Sequence, residues 1–142
     1  MTITVYHNPA CGTSRNVLAI VRSCVGDGSV TVVPYLTQPP SADRLRQLYD
    51  RAGLTPREGM RTKGDDALIE ELGLLPPDRD PARDANRILA AMAAHPILIS
   101  RPLVETPMGV VLARPCERVA EVLDNPPKTW TKENGDVIHL RS

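Results

Sequence analysis

The opening of the chain constrains its fold most, because the hydrophobic period changes twice within the first 36 residues. Residues 2–6 (TITVY) are β-rich and alternate, which predicts a strand. His7 to Ser14 carries Pro9 and Gly12 and predicts a loop. From Arg15 the apolar positions Val17, Leu18, Val21 and Cys24 recur at helical spacing, and Gly26-Asp27-Gly28 ends that helix. Residues 29–36 (SVTVVPYL) predict a second strand. Pro34 cannot donate to a ladder, so this strand belongs at a sheet edge. Strand, helix and strand in this order call for parallel pairing through a right-handed crossover.

The middle of the chain reads as helical. Ser41 is a plausible N-cap, with Leu45, Leu48 and Tyr49 on one face and Gly53 as the stop. Thr55-Pro56-Arg57-Glu58 fits a capping box with proline at the first helical position. Residues 65–72 predict a short helix closed by Gly73. Leu75 to Asp80 reads as a linker, and Asp80 caps a helix running to about Ala94 with Ile88, Leu89 and Met92 inward. The pattern then returns to sheet. Residues 97–99 and 103–106 flank Arg101-Pro102, Pro107-Met108-Gly109 predicts a turn, 110–113 a strand, and 116–123 a helix. The tail, residues 125–142, is rich in proline and charge and is expected to be loosely held. The order is β-α-β, a helical block, then β-β-α, which predicts an α/β sandwich with a mixed sheet and a closing hairpin.

A length of 142 residues suits one domain with a substantial core. Seventeen basic residues balance seventeen acidic ones, so no nucleic acid or anionic membrane is expected as partner. Trp130 stands alone, leaving no aromatic platform for bases. Fourteen of the basic residues are Arg and three are Lys, and the planar guanidinium suits tetrahedral oxyanions. Three cysteines with no close pair argue against a disulfide framework and for a reducing compartment. The stretch MTITVYHNPACG lacks a basic segment followed by an apolar one, and no apolar run approaches the roughly 18 residues that span a bilayer. A cytoplasmic location is the expectation. The His and Cys residues show no ligand spacing, so no metal is expected.

Chemistry concentrates in His7-Asn8-Pro9-Ala10-Cys11-Gly12-Thr13-Ser14-Arg15. This segment puts Cys11 after a strand and just before a helix, where backbone N–H groups and the helix dipole favour an anionic sulfur. Both effects lower a thiol pKa. Arg15 adds a nearby positive charge, and His7 either adds another or accepts a proton. Ser14 stands three residues after Cys11 where a local resolving thiol would be. Redox chemistry at Cys11 would therefore need a thiol from another molecule, with glutathione or a glutaredoxin as natural candidates. Val17 stands where the phosphate loop of Cys-dependent phosphatases needs Arg. Arg61, Arg101 and Arg114 lie beside turn and strand-end signals and offer the charge-assisted donors that an oxyanion requires. Cys24 and Cys116 read as packing residues, and His95 as a cap on helix carbonyls.

ITVYHNPACGTSRN, and HPILISRPLVETPMG followed by ARP, resemble the glutaredoxin-coupled arsenate reductases, and the likeness runs over nearly the whole chain to about residue 124. The resemblance implies a thioredoxin-like three-layer sandwich over 1–124, with a mixed four-stranded sheet and a helical insertion at about 41–95. It implies Cys11 as the nucleophile, Arg61, Arg101 and Arg114 as oxyanion ligands, His7 and Ser14 as residues that tune the thiolate, and a cis bond at Arg101-Pro102. The activity implied is reduction of arsenate to arsenite by a monomer with no bound cofactor. Cys11 would form a thiol ester with arsenate, glutathione would attack as co-substrate while two electrons move to arsenic, and glutaredoxin would remove the glutathione as a mixed disulfide. Two alternatives lie beside it. One is a related glutathione-linked thiol reductase acting on another substrate. The other is a thioredoxin-like regulatory binding protein, whose familiar Cys-x-x-Cys switch Ser14 excludes.

Overall fold

A computed structural model of the chain describes residues 2–141. They form two compact units, one made of the residues up to Gln38 together with those from Arg101 on, the other of Pro39–Ser100.

The first unit holds the sheet. β1 (Ile3–Tyr6), α1 (Gly12–Val25) and β2 (Val30–Val33) form the crossover, with β1 and β2 parallel and Ile3 opposite Val30. β3 (Leu103–Thr106) and β4 (Gly109–Leu112) form a hairpin, and β3 pairs antiparallel with β1. The strand order is β2-β1-β3-β4. This is the mixed four-stranded α/β sheet expected of a thioredoxin-like chain, with β2 at the edge just before Pro34. Ile3 and Val5 are fully buried and share a face with Val104 and Val111. Val17, Ile20 and Val21 of α1 pack onto that face, as does Val119 of a 3₁₀ segment, Cys116–Val122. Each such aliphatic side chain contributes about 1.5–3 kcal/mol by leaving water. The packing fixes the end of β1 against the start of α1, which is where Cys11 sits.

Four expectations about elements in this unit are corrected. The helix begins at Gly12 rather than Arg15, because Thr13 and Ser14 occupy its first turn and Ser14 sends its hydroxyl back to the loop. The second strand stops at Val33, since Pro34 opens a turn whose carbonyl accepts from Thr37 and Gln38 N–H. The stretch 116–123 is 3₁₀ rather than α-helical. The tail is not loose. β5 (Thr129–Thr131) and β6 (Val137–His139) pair around Asn134-Gly135, with Gly135 at φ 92°, and Trp130, Ile138 and Leu140 join the core.

The second unit is helical. α2 (Ala42–Ala52) starts at Ser41, whose side chain accepts from Arg44 N–H, and stops at Gly53 in the left-handed region. α3 (Asp66–Glu71) is short. α4 (Pro81–Ala94) starts at Asp80, whose carboxylate accepts from Ala82 and Arg83 N–H. α2 and α4 pack together, and the Tyr49 hydroxyl reaches Met92 Sδ at 3.6 Å. Thr55 and Glu58 form both bonds of a capping box, at 2.9 and 3.2 Å, yet the helix does not continue and the chain turns at Gly59. Residues 97–99 are not a strand. Pro96–Leu98 is a 3₁₀ turn, with Leu98 N–H donating to His95 O, and Ile99 makes a single bridge to Met60.

Candidate active site

Cys11 is the N-cap residue of α1, with an extended backbone. Its N–H donates to Asn8 O and its carbonyl accepts from Arg15 N–H, both at 3.0 Å. This places the sulfur over the first turn of the helix. It is 8% exposed, so it sits under the surface but is not sealed. Burial by itself pushes the thiol up, and this is the largest single influence on it. Four others oppose it: the Ser14 backbone N–H donating to the sulfur, the charge of Arg101, and hydrogen bonds from Arg114 and Arg101. Together they win, and the thiol lies below its ordinary value. Arg114 Nη1 is 3.6 Å from Cys11 Sγ and also donates to Arg101 O at 3.1 Å. The Arg101-Pro102 and Arg114-Pro115 bonds are cis, as is Leu75-Pro76. Arg101 Nε is buried with no hydrogen-bond partner among the described residues, an orphaned donor on a cation that also lowers the Cys11 pKa.

The loop before Cys11 is tied by Ser14, which is fully buried. Its Oγ accepts from Asn8 N–H at 3.0 Å and lies 2.7 Å from His7 Nδ1. Which of the two holds the shared proton depends on the imidazole tautomer. Burial, then the charges of Arg22 and Arg15, lower the His7 pKa, so His7 is neutral at neutral pH and supplies no positive charge. Ser14 thus acts on the sulfur through its backbone and on the loop through its hydroxyl.

Arg15 is held by two partners. Its Nε and Nη2 donate to Glu133 at 2.8 and 3.0 Å, and its Nη1 donates to Pro9 O at 2.8 Å. Its charge is matched first by Glu133, with Cys11 a smaller influence. Arg61 lies in the second unit. Its N–H donates to Leu98 O, and its Nε is 3.6 Å from Asp65 Oδ2.

Asn16 and Glu133 were not legible as site residues. Asn16 is buried, its Nδ2 donating to Gly12 O and its Oδ1 accepting from Glu133 N–H, both at 3.0 Å. The missed signal was Asn134-Gly135 between TWT and VIH, a strong hairpin pattern. An open cleft of about 450 Å³ lies between the first turn of α1 and this hairpin, lined by Thr13, Asn16 and Lys132 among others. Cys24 and Cys116 are free thiols whose pKa values burial raises, with Glu117 adding to the effect at Cys116. Among the described residues, no group of three His, Cys, Asp or Glu side chains is placed to hold a metal. No helix there is long and apolar enough to cross a membrane.

A low-pKa sulfur at a helix N-terminus, beside two guanidinium groups, can attack an electrophilic oxyanion and bind its oxygens. The chain is similar to known proteins in sequence and in fold. The ArsC family model matches residues 6–122. The protein named arsenate reductase in Rhizobium meliloti (strain 1021) is 46% identical over 139 residues, covering 97% of this chain and 94% of the relative. The arsenate reductase of Escherichia coli (strain K12) is 42% identical over 137 residues, covering 96% and 92%. The solved structure of arsenate reductase from Vibrio cholerae superposes with a TM-score of 0.70 at 38% identity, covering 87% of this chain and 98% of that one. On sequence and on fold alike, the chain belongs to the ArsC family.

Proposed function

We propose that the chain is an arsenate reductase that uses Cys11 as its nucleophile and draws its electrons from glutathione and a glutaredoxin. The observation that carries this reading is the Cys11 sulfur, 3.6 Å from Arg114 Nη1, with Arg101 and Arg114 both lowering its pKa. The unpartnered Arg101 Nε supports it further, since a bound oxyanion would satisfy that donor. The two relatives described above bear the name arsenate reductase.

In the proposed reaction the thiolate forms an S–As bond while one As–O bond breaks and the oxygen leaves as water. Arg101 and Arg114 stabilise the charge on the remaining oxygens. Glutathione then displaces a second oxygen from arsenic through its own sulfur, and its thiol proton leaves with that oxygen as water. A glutaredoxin thiolate attacks that glutathione sulfur, making a mixed disulfide, and the electron pair of the As–S bond stays on arsenic. Water cleaves the Cys11–arsenic bond and releases arsenite with the free thiol. The lack of a second cysteine at position 14 is consistent with an external reductant. The role of Arg61 as a further oxyanion ligand rests on the resemblance alone.

The test is arsenate turnover with glutathione and glutaredoxin, wild type against Cys11→Ser. Turnover by wild type and none by the variant is the expected result. No arsenate turnover by wild type, with another glutathione-linked substrate accepted, would overturn the reading in favour of a related thiol reductase.

A further inference from the structure

We propose that Glu133 is a positioning residue for Cys11, holding Arg15 so that its guanidinium fixes the Pro9 carbonyl and with it the loop that aims the sulfur at its donors. The contacts form one continuous path. Trp130, Ile138 and Leu140 anchor the tail hairpin to the core. Its turn is closed by Lys132 N–H to Asp136 O at 2.8 Å and Gly135 N–H to Lys132 O at 2.9 Å. Glu133 is held by its own backbone, whose N–H donates to the buried Asn16 Oδ1 at 3.0 Å. Its carboxylate takes Arg15 Nε and Nη2 in a bidentate pair, and the remaining Nη1 donates to Pro9 O at 2.8 Å. Pro9 stands two residues before the nucleophile.

The arrangement is geometric rather than a source of stability. The side chains of Arg15 and Glu133 are 43% and 47% exposed, and pairs this open contribute little to folding. A fork that donates two bonds on one side and a third on the other needs the rigid plane of guanidinium, which an ammonium lacks. The carboxylate also matches most of the charge of Arg15, while Arg101 and Arg114 are the cations that lower the Cys11 pKa.

The proposal takes Cys11 as the reactive sulfur of the proposed function, but its test uses no arsenate. Alkylation of Cys11 by iodoacetamide is followed from pH 5 to 9 by mass spectrometry of its peptide, with Cys24 and Cys116 as internal references. In Glu133→Gln the Arg15 charge that is set free would by itself lower the Cys11 pKa, but the lost hold on the loop outweighs it. The apparent pKa rises and alkylation at pH 7 slows about threefold, with the thermal midpoint nearly unmoved. A pKa that falls instead would overturn the proposal. Glu133→Asp restores most of the rate. Arg15→Lys slows alkylation as Glu133→Gln does, and the double variant is no slower than the slower single one. An unchanged pH profile in Glu133→Gln, or a double variant slowed by the product of both single effects, would overturn the proposal. Wild-type Cys11 reacting no faster than Cys24 would overturn both this proposal and the site on which it rests.

Discussion

At the scale of single residues, Cys11 is decided by competition. Its largest influence, burial, disfavours the anion, and the site overcomes this only by collecting several donors at one atom. Removing one should tip the balance back. Arg114→Ala takes away the donor at 3.6 Å and its charge, so the Cys11 pKa should rise and alkylation at pH 7 should slow by about tenfold for one unit. The pH profile checks the sign, because the rate follows the thiolate and its midpoint must move to higher pH. Ser14→Ala tests a different link. It leaves Asn8 N–H and His7 Nδ1 without the hydroxyl that joins them, at a cost of about 1–3 kcal/mol for an abandoned buried group. Chemical denaturation measures it. Cys11 was legible in the sequence because strand, loop and helix place it without help from distant residues. The partnership of Arg15 was not, because Glu133 lies 118 positions away.

At the scale of elements, the second unit depends on close approach and on one ion pair. A Cβ built on Gly59 would fall 2.3 Å from Tyr49 Cε1, and Tyr49 is itself buried against α4. Gly59→Ala should therefore cost about 1–3 kcal/mol, measured as a lower denaturation midpoint, and Tyr49→Leu should recover part of it. Near the start of α4, Arg57 takes Asp84 in two bonds of 2.7 and 2.9 Å and also donates to Leu74 O at 2.7 Å. The Arg57 hydrogen bonds hold Asp84 down at about 2. A depressed carboxylate stabilises above its unfolded pKa, so this contribution is whole at pH 5 and is lost between about pH 4 and pH 2. With solvent screening it is worth roughly 1 kcal/mol. Asp84→Asn should lower stability at pH 7 and flatten the acid limb of the stability curve. The helices here were legible from capping residues and period. The short segments were not: ILI at 97–99 has strand composition, but Pro96 sets a 3₁₀ turn before any ladder can begin.

At the scale of the whole molecule, the first unit is closed by residues from both ends of the sequence. β3 and β4 return to β1 after the long helical excursion, and the sheet order follows from the crossover and hairpin rules that the sequence pattern already invoked. The closing hairpin was read as a loose tail because its prolines and charges outnumber its apolar residues. Three of those apolar residues nevertheless reach the core: Leu140 is 7% exposed, and Trp130 and Ile138 pack beside it. Their burial is worth about 3–5 kcal/mol together, a large share of the 5–15 kcal/mol that holds a typical domain. A chain ended after Asn125 should therefore unfold at a clearly lower urea concentration than the full chain, and Leu140→Ala alone should cost about 2–3 kcal/mol. Far-UV dichroism of the helices follows both variants, and in Leu140→Ala, which keeps the single tryptophan, Trp130 fluorescence also reports the hairpin. In Leu140→Ala, hairpin fluorescence lost before the helical signal would mean that the tail opens as a local unit. Coincident loss would mean that it unfolds with the core. An unchanged midpoint in the shortened chain would show that the hairpin only rests on the sheet. The path from the core through Glu133 to the nucleophile would then lose its anchor.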